Sequence, residues 1–196
     1  MIIEPLEDAP LILTQEVEGG KAAGTYEVRM LKEGGRTWVT PEKVQALWLE
    51  SRKHPVLFSD YTQGDAQAFL DVIGAPNSVW WEVFHVEQNK PVGLFYLSKI
   101  IPYFDAHGHF TFWDSVGRGR EGLAMETLRH IFQRYDLPRV TAEVPVYQRG
   151  TIRFIERLGF THEGERRNGV LYKDEWTNQA LYGMLREEAL QEVIEA

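Results

Sequence analysis

The stretch from His109 to Tyr135 constrains this chain more than any other. His109-Phe110-Thr111-Phe112-Trp113 reads as a strand, and Leu123 to Tyr135 reads as a helix. Between them runs Ser115-Val116-Gly117-Arg118-Gly119-Arg120-Glu121-Gly122-Leu123-Ala124. Glycine lets backbone approach a ligand closely and take up dihedrals closed to other residues. The first N–H groups of a helix lack intrahelical acceptors, and the helix dipole favours an anion beside them. Arg118 and Arg120 add planar donors suited to phosphate. Strand, basic glycine loop and helix thus make a candidate phosphate cradle from Ser115, Val116, Arg118, Gly119, Arg120, Glu121, Gly122, Leu123 and Ala124. The spelling Gly117-x-Gly119-x-x-Gly122 also fits a dinucleotide fingerprint, and it fits a plain helix start equally well.

Composition narrows the classes. A chain of 196 residues with 43% hydrophobic content can bury one sizeable core, and no linker divides it. We therefore expect a single domain over 1–196, with an N-terminal extension at 1–24 and a C-terminal helix at 186–196. The net charge of −8 and the lack of a Lys/Arg block argue against nucleic-acid binding. With no cysteine there is no disulfide framework, thiol nucleophile or Cys-based zinc site. Met1 to Pro10 lacks the apolar core of a signal peptide, and no apolar run approaches the roughly 20 residues that span a bilayer. The expectation is a soluble, cytoplasmic protein that uses no membrane.

Hydrophobic periodicity and turn residues then order the chain. Strands are expected at Leu11–Val17 and Tyr26–Leu31, with Thr37–Val39 pairing back after Gly34-Gly35. Thr40-Pro41 starts a helix that runs to about Arg52, and a second helix runs from about Gly64 to Ile73. Val79–Val86 and Val92–Leu97 form the next strands, then the strand, loop and helix described above. Val140–Val144 is a strand and Thr151–Leu158 a short helix closed by Gly159. Phe160–Arg166 and Trp176–Leu185 are two more strands turning at Asn168-Gly169, and a polar, solvated helix begins at Arg186.

This order resembles the GCN5-related N-acetyltransferase superfamily. The family's phosphate loop, Gln/Arg-x-x-Gly-x-Gly/Ala, is matched by Gly119-Arg120-Glu121-Gly122-Leu123-Ala124, with Gly119 in place of the first Gln or Arg. The run from Glu143 to Phe160, ending Leu158-Gly159-Phe160, looks like the family's strand–turn–helix, with Gln148 where Asn is usual. Glu163-Gly164-Glu165-Arg166, followed by Gly169 and Asp174, is similar to the branch that acetylates ribosomal-protein N-termini. These motifs cover about Phe110 to Leu185. The resemblance implies an α/β (α+β) fold: a mixed, mostly antiparallel sheet of about seven strands, helices on both faces, splayed between the fourth and fifth strands. It implies acetyl-CoA as co-substrate, held by the loop and Gln148, and an amine acceptor that is a small molecule or a peptide N-terminus. It places a base at Glu143. Ile155 stands where many members carry a general-acid Tyr; the ribosomal-protein branch often has a Ser near Thr151 instead, so the resemblance implies a hydroxyl from Thr151, with another residue or no general acid as the alternatives.

Each residue also has a plainer reading. Glu143 can be a solvated strand residue and Thr151 a helix-start hydroxyl. His107 and His109 share one strand face, which suits a polar strand end better than a metal site, since no third ligand is evident; we expect no metal. Trp80, Trp81 and Trp113 read as core, and Trp48 and Glu50 lie on a helix that can roof the acceptor. Glu50, Asp60 and Asp65 are expected to rim that side and favour a cationic or neutral amine. Two other functions compete with acetyl transfer: a non-enzymatic acyl-CoA-binding module, and a dinucleotide-binding oxidoreductase. The oligomeric state is open, a homodimer included.

Overall fold

The computed structural model describes residues 11–18, 23–53, 65–113 and 120–191. Its elements are β1 (Leu11–Val17), β2 (Gly24–Glu33), β3 (Arg36–Thr37), α1 (Pro41–Ser51), α2 (Ala66–Gly74), β4 (Val79–His85), β5 (Lys90–Ile101) and β6 (Asp105–Phe112), then α3 (Glu121–Tyr135), β7 (Arg139–Pro145), α4 (Arg149–Arg157), β8 (Thr161–Tyr172), β9 (Glu175–Leu185) and α5 (Arg186–Leu190). The strands form one sheet in the order β1-β2-β4-β5-β6-β7-β9-β8, with β3 hung on β2. Setting aside β1 and β3 leaves the seven expected strands, and β6 and β7 are the fourth and fifth of them.

Local chemistry explains the helix starts. The Thr40 side chain accepts the Lys43 N–H ahead of Pro41, and the Asp65 carboxylate accepts from the Gln67 and Ala68 N–H groups. Leu123, Ala124, Thr127, Leu128, Ile131 and Phe132 recur at helical spacing and bury one face of α3. That face joins α4 and the strand residues Trp81, Phe95, Val140, Ala142 and Val144 in one core. On the opposite face α1 and α2 cover Trp80, Leu94 and Trp113 in a second core. The tryptophans at 48, 80, 81 and 113 are therefore packing residues, each under 10% exposed.

Two expectations are corrected. The chain does not turn at Asn168-Gly169: β8 continues to Tyr172 and the reversal falls at Lys173-Asp174. Residues after Arg166 instead form a bulge, with the next pairing at Val170. The terminal helix α5 is not merely solvated, since Ala189 is fully buried and its carbonyl accepts from Arg129 Nε at 3.0 Å. Gly159 does close α4, at φ 93°. Among the described residues no helix is long and apolar enough to cross a membrane.

Candidate active site

The site begins with a break in the sheet. β6 and β7 run parallel and are bridged at His107 and Thr141, with no further ladder pairing between them. Every other strand pair described is antiparallel. That pattern overturns the dinucleotide-enzyme alternative, whose fold repeats parallel βαβ units. Past the bridge β7 stays paired with β9 as far as Pro145, and β6 stays with β5 as far as Phe112. The gap between them is lined by His109 to Phe112 on one side and Ala142 to Pro145 on the other.

Strand alternation gives the gap two unlike faces. On the α3 and α4 side stand Phe110 and Phe112, with Phe154 of α4 edge-on to both at 6.3 and 6.1 Å between ring centres. All three are half-buried, so the gap presents apolar surface there. On the other side His107, His109, Thr141 and Glu143 present ionisable and polar groups. His109 Nε2 lies 2.9 Å from the Ser98 hydroxyl, and its ring stacks on Tyr96 at 4.1 Å, which in turn stacks on Trp80 at 3.9 Å. Burial, helped by His107 and Lys99, pushes His109 down to about 3, so it is neutral at physiological pH. Burial and the Lys99 charge lower His107 as well, against the opposing pull of Glu143 and Asp105.

Glu143 occupies the centre of the polar face, its side chain 11% exposed. Arg166 Nη2 is 2.7 Å from Oε1, His107 Nδ1 is 3.8 Å from Oε1, and Lys99 Nζ is 3.9 Å from Oε2. A second row runs beside it: the Thr141 hydroxyl donates to Asp105 at 2.8 Å, and Arg139 pairs with Asp105 at 3.7 Å and Glu163 at 2.8 Å. The family resemblance singled out Glu143 and named neither Lys99 nor Arg166 as its neighbours, which are 44 residues before and 23 residues after it. The signal that would have pointed to them, a break in strand register, is a property of the sheet.

The remaining expected residues divide by position. Ser115, Val116, Arg118 and Gly119 lie outside the described residues, as does Asp60. Glu121 opens α3 and pairs with Arg157 of α4 at 2.9 Å, tying the two helices together. Gly122, Leu123 and Ala124 form the first turn of α3. A Cβ on Gly122 would come within 3.1 Å of Gln15 Nε2, so β1 packs closely over this turn. Leu123 and Ala124 are core residues as well as helix-start residues. The Arg120 guanidinium is fully buried, over the rings of Tyr26 and Phe112 and 3.3 Å from the Tyr26 hydroxyl. It is stabilised by those rings and offers no donor to solvent. The Thr151 hydroxyl donates to Gln148 Oε1 at 3.2 Å across the start of α4, and Ile155 is buried in the core. Glu50 pairs with Lys53 and Asp65 caps α2, so both acids have local roles.

No family model matches the chain, and no curated protein matches it. Solved structures do. The chain is similar to spermidine N-acetyltransferase from Vibrio cholerae in complex with CoA and spermine, at 14% identity and a TM-score of 0.67 over 78% of this chain and 95% of that one. It is equally similar to ribosomal-protein-S5-alanine acetyltransferase from Vibrio fischeri, at 15% identity and a TM-score of 0.67 over 91% of this chain and all of that one, 100%. The sheet order, the parted fourth and fifth core strands and these two likenesses agree: the chain has the fold of the GCN5-related N-acetyltransferases.

Proposed function

We propose that this protein is an acetyl-CoA-dependent N-acetyltransferase that moves an acetyl group to an amine by direct attack on the thioester. The observation that carries the reading is the gap between β6 and β7, apolar on one face and ionisable on the other. An extended, largely apolar pantetheine arm suits the face made by Phe110, Phe112 and Phe154. The backbone N–H groups of Gly122 and Leu123, at the start of α3, are free of helical partners and suit a pyrophosphate. With Arg120 buried, those N–H groups and the glycine loop before them carry phosphate binding in this proposal, and Gln148 stays a candidate contact.

Acetyl-CoA supplies an acyl group already activated as a thioester, so no protein nucleophile is needed. The protein must hold the amine, take a proton from its ammonium form and steady the departing thiolate. We assign the proton to Glu143 Oε2, since Oε1 is engaged by Arg166 and Lys99 is too far from Oε2 for a hydrogen bond. Thr151 is the hydroxyl that this reading sets beside the thiolate. Structures with this fold include enzymes that, by their names, act on spermidine and on a ribosomal protein, which supports an amine acceptor of either size. The acyl-CoA-binding module without turnover is the competing outcome.

The test is thermal shift with CoA, acetyl-CoA and NAD, followed by thiol release from acetyl-CoA with a panel of amines. A ligand that binds only the folded state raises its melting temperature. Glu143→Gln should lower kcat about 10²–10⁴-fold at neutral pH, leave CoA affinity unchanged and recover partly as pH rises. Parallel pH profiles of similar height in the two proteins would remove Glu143 from the chemistry.

A further inference from the structure

Two cations reach Glu143, and both do so from irregular positions in their strands. In β5, Ser98 pairs with His107 and Ile101 with Asp105, so Lys99 and Ile100 together oppose Ala106. This is a bulge, one extra residue in one strand. Leu97 is buried in the core under α3, and Ser98 faces the other way, toward His109. Regular alternation would send Lys99 back toward α3. Instead Lys99 adopts φ 49°, a left-handed conformation costly for a residue with a Cβ, and Ile100 packs against the core. The lysine is thereby turned to the polar face, its Nζ 3.9 Å from Glu143. In β8, Arg166 is the last paired residue before the second bulge and crosses β9 to reach Glu143 on β7.

Protection of a sheet edge explains bulges in outer strands such as β8. It does not explain Lys99, because β5 lies inside the sheet between β4 and β6. Nor does neutralising Glu143 require both cations, since Arg166 alone balances its charge. The cluster as a whole balances, with Lys99, Arg139 and Arg166 against Asp105, Glu143 and Glu163, but Arg139 and the Thr141 hydroxyl hold Asp105 and Glu163 and Arg166 holds Glu143, which leaves Lys99 with no carboxylate of the cluster within hydrogen-bond distance. Lys99 and Arg166 are 63% and 50% exposed in their side chains, so both cations beside Glu143 are open to solvent.

We infer that Lys99 and Arg166 form a seat for an anionic group of the acceptor, so that the preferred substrate is an amine bearing a carboxylate close to the reacting nitrogen. The inference rests on the acetyl-transfer reading. Glu143 receives the ammonium end, and the paired cations receive the carboxylate, which an Arg fork and a Lys point charge hold through charge-assisted hydrogen bonds. The overall charge of −8 attracts cations at long range, but over the few ångströms of this pocket the local pair decides. The shared chemistry is a carboxylate beside an amine, whether in a free amino acid or at an acidic peptide N-terminus.

The test measures kcat/KM by thiol release with the full-length protein and matched acceptors: phenylalanine, its carboxamide and phenethylamine, and short peptides beginning with Asp or Asn. We expect the carboxylate-bearing member of each set to lead by about 10–100-fold, through KM more than kcat, with the lead shrinking at high salt. Whether the free amino acid or the Asp peptide shows the lead tells which source the seat takes. Lys99→Met and Arg166→Met should collapse the ratio of carboxylate to amide acceptor, and Lys99→Arg should restore it. A merely structural role would lower the melting temperature and leave the ratio intact, which overturns the inference. So does amine turnover that favours the amide or the decarboxylated amine. No turnover of any member overturns the acetyl-transfer reading and takes this inference with it.

Discussion

β4 and β8 belong to one sheet and are built on opposite terms. All seven residues of β4 are buried, with Trp80 under α1 and α2 and Trp81 against α3's side. Of the twelve residues of β8 only Val170 is buried, and charged side chains stand at Glu163, Glu165, Arg166 and Arg167. β4 lies between β2 and β5 with helices on both faces, whereas β8 is an outer strand. One strand makes a platform that cannot move without opening two cores. The other displays charge and aims Arg166 inward across the sheet. The gap between β6 and β7 falls where the first kind of sheet gives way to the second, so a rigid wall and a polar wall meet at the proposed chemistry.

The sharpest way to break this contrast is to hollow the platform. Trp81 is fully buried and packs on Phe95 at 5.2 Å, so Trp81→Ala should cost about 3–5 kcal/mol, read as a lower urea midpoint at unchanged slope. A loss under 1 kcal/mol would mean that the platform is not tightly packed there.

The next test probes the boundary. The folded state holds His109 at about 3, whereas the unfolded chain titrates near the ordinary value of 6.5. Between those limits the unfolded chain binds a proton that the folded protein refuses, so stability falls as pH drops from about 6.5 toward 3. His109→Phe keeps a ring on Tyr96 and removes this titration. It should flatten the loss of unfolding free energy between pH 7 and pH 4, measured by urea titration, by an amount on the order of 2 kcal/mol, discounted for the partial exposure of the ring. An unchanged acid limb would show that His109 titrates normally. The smallest effect is expected on the displayed strands: Trp176 of β9 is 63% exposed, and Trp176→Ala should change stability by less than about 0.5 kcal/mol. A large loss there would mean that this surface is covered in solution.

Much of this was legible in the letters because it is local. Thr40-Pro41 and Gly159 announced helix ends through caps and dihedrals that need only near neighbours. The turn-bounded runs rich in β-branched and aromatic residues in β4 and β5 and the stripe of α3 announced strands and a helix. The polar tail at Arg186 misled, because the burial of Ala189 depends on α3 rather than on its own neighbours. Asn168-Gly169 carried the letters of a turn and became a bulge, since the pairing of β8 with β9 resumes at Val170 and outweighs a local preference. By itself, then, the sequence determined the elements and their order, which follow from residues close along the chain, while Glu143 was singled out only by resemblance to a family. The tertiary structure alone decided that Arg120 is buried between Tyr26 and Phe112, that β6 and β7 part after one bridge, and that Lys99 and Arg166 converge on Glu143. Those facts depend on strand register and on contacts between distant segments, which no local pattern of side chains encodes.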